Sequence, residues 1–133
     1  PDSHLAVEQA AKRAWNPGSE VRLVSAIELD FNSVHENFPK FESELKKAEK
    51  LRREASALFE QNGLRVSTTV KTGRAKNILV KEAKDWDADC IFLGAKGHRF
   101  LERILLGSVS YAVTARAHCS VEVVRGELNA VKE

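Results

Sequence analysis

Several function classes are set aside by what this chain has little of. No apolar run approaches the ~20 residues of a membrane-spanning helix, and Pro1-Asp2-Ser3-His4 does not read as a signal peptide. The formal net charge of +2 is too weak to mark a nucleic-acid surface. Neither nucleic acid nor membrane is therefore expected as a partner. There are two cysteines, Cys90 and Cys119, and neither belongs to a CxxC pair, so the usual zinc spacing is absent. Both border apolar, strand-like runs where small buried thiols are common. A disulfide would need them on neighbouring strands; a reduced pair in a cytoplasmic protein is the stronger expectation. No internal repeat or low-complexity segment occurs, and no carboxylate pair stands out that would cage a divalent ion.

What remains is an ordinary globular composition. The chain has 133 residues, of which 43% are hydrophobic and 30% charged, enough for one domain with a real core and too few for two. A helix runs from a Ser3 cap through Leu5, Val7, Ala10, Ala11, Ala14 and Trp15 and stops at Asn16-Pro17-Gly18. Val21–Ile27 reads as a strand, and 28–38 as a polar loop. From Pro39 a long amphipathic helix carries Phe41, Leu45, Ala48, Leu51, Ala55 and Leu58 on one stripe and closes at Asn62-Gly63. Its cations, Lys46, Lys47, Lys50, Arg52 and Arg53, are interleaved with Glu44, Glu49 and Glu54, the pattern of a solvated face. Leu64–Val70 alternates as a strand, and a helix with Ile78, Leu79, Glu82, Ala83 and Trp86 follows, Trp86 serving as a core or helix-end anchor and not as a ligand stacker. Cys90–Leu93, a helix over 107–118 and the short strand Val121–Val124 complete the order α-β-α-β-α-β-α-β. Such alternation implies a parallel sheet flanked by helices. Ligands of these folds sit beyond the carboxyl ends of the strands.

That location is where the chemistry-bearing residues cluster. The apolar run ends at Gly94, Gly97 follows, and Gly107-Ser108 opens a helix with Val109, Ala112, Val113 and Ala117 on one face. Glycines allow close backbone approach, and the unpaired amides and dipole of a helix start favour an anion. The alternative is that Gly94 only turns a strand and Gly107 only starts a helix.

The spacing Gly94-x2-Gly97-x9-Gly107-Ser108 resembles the nucleotide-binding motif of the universal stress protein family. The likeness extends to V-R-L-V-S-A-I-E, V-S-T-T-V-K-T-G, A-D-C-I-F-L-G-A-K-G and H-C-S-V-E-V-V-R, nearly the whole chain. It implies a single-domain, flavodoxin/Rossmann-like three-layer α/β sandwich with a parallel sheet in the order 3-2-1-4-5. It also implies an ATP-type adenine nucleotide (AMP being the other candidate), with Mg2+ riding on the phosphates. A homodimer paired through Val121–Val124 is implied as well. Members of the family begin with a further strand ending in an Asp before the first helix, whereas this chain opens at the helix. We therefore expect about 10–20 residues before Pro1, enough for one strand and a turn. Asp2 is a poor substitute for the family Asp, because Asp2-Ser3-His4 is not a D-x-S turn.

Carried over residue by residue, Gly94 and Gly97 let amides close on the phosphates. Gly107, with the N–H and hydroxyl of Ser108, holds the phosphate end. Val109 and Ser110 continue the helix start, Ser110 with a second hydroxyl. Leu93 and Ala26 are placed near the adenosine. Lys96, His98, Arg99 and Arg103 could add cationic contacts, though a solvated loop face explains each equally well. No fixed carboxylate accompanies His98, so no catalytic residue is assigned. The expected function is nucleotide-binding regulation in stress adaptation, with at most slow ATP hydrolysis, since no residue is assignable to positioning a water. Two alternatives stand beside it: a stress protein acting only through protein partners, and an adenylating enzyme domain. A flavodoxin-like electron carrier is weaker, because the phosphate motif does not follow the first strand.

Overall fold

β-Branched and apolar segments separated by amphipathic runs give four strands and four helices among the described residues. The computed structural model describes residues 2–29, 34–95 and 107–125. In chain order the elements are α1 (Asp2–Lys12), β1 (Glu20–Ile27), α2 (Val34–Gln61), β2 (Arg65–Thr72), α3 (Ala75–Asp85), β3 (Cys90–Gly94), α4 (Ser108–Arg116) and β4 (Ser120–Val124). The alternation is the expected one. The strands form two parallel pairs, β1 with β2 and β3 with β4, which are the 2-3 and 4-5 neighbours of the expected order when a strand is counted before β1. The chain divides into two compact units, Ala14–Leu79 and Pro1–Arg13 with Val80–Glu133.

In the Ala14–Leu79 unit the β1–β2 ladder runs in register from Glu20 opposite Arg65 to Ile27 opposite Thr72. The first of these pairs is tied by an exposed Arg65–Glu20 ion pair of 2.9 Å, worth at most ~1 kcal/mol. Helix α2 packs on both strands and buries Ala48, Ala55 and Phe59. The stripe therefore turns to Phe59, 1% exposed, while Leu58 is 40% exposed. Positions three and four residues after Ala55 both lie near the apolar face, and the larger ring takes the inner one. The helix also starts at Val34, five residues before Pro39. Proline's fixed φ suits a helix near its start, so it marked the helix without marking its first residue. Gly63, at φ +77, ends α2. The Gly63 amide donates to the Glu60 carbonyl at 3.0 Å and the Leu64 amide to the Phe59 carbonyl at 3.2 Å, the bond pattern of a left-handed helix stop. At the other end of the ladder, the Gly73 amide donates to the Ile27 carbonyl at 2.9 Å. Glu28 then caps α3, its carboxylate accepting the Ala75 amide at 2.8 Å.

In the other unit α1 packs on β3 and β4 and buries Ala6, Ala10 and Ala11. The helix includes Asp2 and Ser3 and ends at Lys12, so Ser3 lies within it instead of capping it. Trp15 falls beyond the helix and is 37% exposed. Arg13, just past the helix end, pairs with Glu122 and stacks over the Phe92 ring at 5.3 Å. Phe92 and Glu122 are direct cross-strand partners, so one guanidinium links both strands to the helix. Helix α3 ends as α2 does, with Asp87–Lys84 and Ala88–Ala83 bonds of 3.1 and 2.9 Å. Here the left-handed position, φ +56, is held by Asp87 instead of glycine. Cys90 and Cys119 are half-buried and not in a disulfide. Burial pushes both thiols above their ordinary value, helped at Cys90 by the Glu122 carboxylate and at Cys119 by Asp89.

Candidate functional site

Strand β3 ends with Gly94 opposite Val124, and the ladder is extended by Ala95, whose amide donates to the Val124 carbonyl at 2.8 Å. The Ala95 carbonyl then turns to α4. It accepts the Gly107 amide at 2.6 Å and the Ser110 hydroxyl at 2.7 Å. A carbonyl oxygen has two lone pairs, so both are engaged. Ala95 is 1% exposed and Ser110 2% exposed; the joint is dry. It ties the residue after β3 to the first turn of α4 across the eleven intervening residues.

Helix α4 starts with Gly107 as an extended N-cap, φ −74° and ψ 169°, with no side-chain cap and no acidic residue in the first turn. The first amide to find a helical carbonyl is that of Tyr111, donating to Gly107 at 3.0 Å. The amides of Ser108, Val109 and Ser110 precede it and have no acceptor among the described residues. Ser108, the first residue of the helix, is exposed. Three amides without an acceptor among the described residues stand at the positive end of a helix dipole, with no acidic residue in the first turn of the helix itself, an arrangement suited to an anion.

The structure brings six of the expected residues into this one unit: Leu93, Gly94, Gly107, Ser108, Val109 and Ser110. Two of them are corrected in detail. The Ser110 hydroxyl is not a second donor for a ligand, because it is buried against the Ala95 carbonyl; only its main-chain amide remains open. Likewise the Gly107 amide is used inside the protein, so Gly107 contributes an uncapped helix start instead of a donor. Leu93 is buried and Gly94 half-buried. Ala26 lies on β1 opposite Lys71, in the other unit. Gly97, His98 and Arg99, with Lys96 and Arg103, lie outside the described residues. Sequence reasoning passed over Ala95, which offers no polar side chain. Its only signal was its place directly after the first motif glycine.

The profile of the universal stress protein family matches residues 1–125. The chain belongs to that family. Among curated universal stress proteins it is 41% identical to MJ0531 of Methanocaldococcus jannaschii over 68 residues, 51% of this chain and 40% of that one. It is 30% identical to Rv2624c of Mycobacterium tuberculosis over 132 residues, 96% of this chain and 46% of that one. The chain thus spans less than half the length of these relatives. Among solved structures, that of hypothetical protein MJ0577 superposes with a TM-score of 0.74 at 24% identity, covering 95% of this chain and 90% of that one. A universal stress protein in complex with cAMP superposes at 0.62 with 22% identity, over 95% and 89% of the two chains. A universal stress protein family protein from Arabidopsis thaliana with AMP bound superposes at 0.66 with 18% identity, over 96% and 80%. The fold of this universal stress protein is accordingly α/β and Rossmann-like, with parallel strands. Among the described residues no helix is long and apolar enough to cross a membrane, and no cluster of His, Cys, Asp and Glu could hold a metal ion.

Proposed function

We propose that this universal stress protein binds an adenine nucleotide, ATP in the first instance, with its phosphates at the start of α4, and that it serves regulation in a stress response. The observation that carries this reading is the uncapped first turn of α4. Its three open amides and the Ser108 hydroxyl suit one phosphate group, they stand at the Gly107-Ser108 end of the Gly94-x2-Gly97-x9-Gly107-Ser108 spacing, and two fold relatives have AMP and cAMP bound. Mg2+ enters as a companion of the phosphates. Hydrolysis is taken to be at most slow, since it needs a positioned water and no residue of the sequence is assignable to that role. The protein acts as a cytoplasmic homodimer paired through β4, whose outer edge meets no described strand; open edges template strand pairing. Leu93 is assigned to the adenosine side, and Gly97, His98 and Arg99 to the phosphate side.

Native purification followed by denaturation and identification of released nucleotide tests the reading directly, with calorimetric titration by ATP and AMP. We expect saturable binding to the wild type and loss of it in Gly107→Val, whose branched side chain crowds the helix start. A wild-type chain that stays empty at millimolar ATP defeats the proposal and favours action through protein partners alone. Fast turnover with a co-substrate favours an adenylating domain.

A further inference from the structure

We infer that Ser110 is a positioning residue whose buried hydroxyl aims the first-turn amides of α4; this rests on the nucleotide reading above. A single hydrogen bond between Gly107 and Ala95 fixes a point and leaves rotation about it. The second bond, from the Ser110 hydroxyl to the same carbonyl at 2.7 Å, removes that rotation. Ser110 stands three residues into the turn and is 2% exposed, so its hydroxyl is withheld from solvent. Its one proton has the Gly107 carbonyl as a longer alternative at 3.1 Å, an acceptor in the same helical turn that would restrain nothing. The Ser110 carbonyl is engaged as well, by the Thr114 hydroxyl at 2.7 Å. Val113, fully buried one residue earlier, holds the next turn down. Ser110 therefore fixes the direction of the helix end, while Ser108 and the amides do the binding. Convergent amides grip an anion only when their common direction is held beforehand.

The test uses the full chain and ATP as the probe. Ser110→Ala keeps the Gly107–Ala95 bond and the fold, and should weaken ATP binding about tenfold. In the nucleotide-free protein it should also speed hydrogen exchange at the Gly107 amide several-fold. Ser110→Thr retains the hydroxyl and should bind within about threefold of wild type. Ser110→Val carries the same added methyl group without the hydroxyl and should bind as poorly as the alanine variant, so the Thr-to-Val ratio isolates the hydroxyl from any overpacking. Unchanged ATP affinity in Ser110→Ala, Thr no better than Val, or unchanged Gly107 exchange overturns the inference while leaving the nucleotide reading intact. Absence of ATP binding by the wild type overturns both.

Discussion

Replacing Gly107 with Asp should make the protein more stable and unable to hold its ligand. The N-cap has extended φ and ψ and lacks a side-chain acceptor, which is the backbone geometry aspartate prefers when capping a helix. An Asp carboxylate there would accept one of the open first-turn amides and face the positive end of the dipole. Over glycine, aspartate at an N-cap gains a few tenths of a kcal/mol, a net difference that already includes the dipole interaction and glycine's freedom in the unfolded chain. At ~2.1 cal/mol/K of unfolding entropy per residue this raises Tm by roughly 1 °C. The same carboxylate occupies the amides a phosphate needs and repels it, so ATP affinity should fall at least a hundredfold. Scanning calorimetry without nucleotide and isothermal titration with ATP read the two effects separately. A variant that binds ATP as well as wild type would show that the α4 terminus is not the anion site. A lowered Tm would show that the helix start was not left uncapped at a cost to stability.

Other substitutions probe the frame around the site. Phe59→Ala should cost about 3–5 kcal/mol in urea unfolding, whereas Leu58→Ala should cost under ~1 kcal/mol; equal effects would contradict the orientation of α2. Asp87→Gly relieves a left-handed backbone at the α3 stop and should stabilise by roughly 0.5–1 kcal/mol; destabilisation would show that the aspartate side chain is needed there. Both thiols are raised by burial, so the folded state favours the protonated form. That contribution to stability is present below the ordinary thiol value and is lost as pH rises through the raised one. At pH 8 iodoacetamide should accordingly alkylate the native chain more slowly than the urea-unfolded chain, and equal rates would refute the shift.

The order of elements was legible because β2 announced itself by β-branched alternation, β3 by a short apolar run ending at a glycine, and the helices by apolar stripes. Gly63 was legible too, since a left-handed helix stop favours a residue without Cβ. The matching stop at Asp87 was not, because aspartate is a common surface residue and its backbone angle leaves no mark in the sequence. Helix starts were the weakest point: Pro39 and Ser3 both suit an N-terminus, yet proline tolerates several positions near a helix start and a hydroxyl residue caps only where the chain happens to bend. At the site, Gly107-Ser108 marked the right place, but the division of labour did not show. Nothing in the letters separates the exposed Ser108 hydroxyl from the buried Ser110 hydroxyl two residues on, and the carbonyl that separates them belongs to an alanine.

The direct tie between Ala95 and Gly107 also isolates the chain that runs between them. Its two ends enter and leave at neighbouring points, so changes in its length add little beyond ring-closure entropy, about 0.6 kcal/mol for each doubling. A change in the number of residues joining Ala95 to Gly107 therefore costs little, while strand, latch and helix end keep their relation.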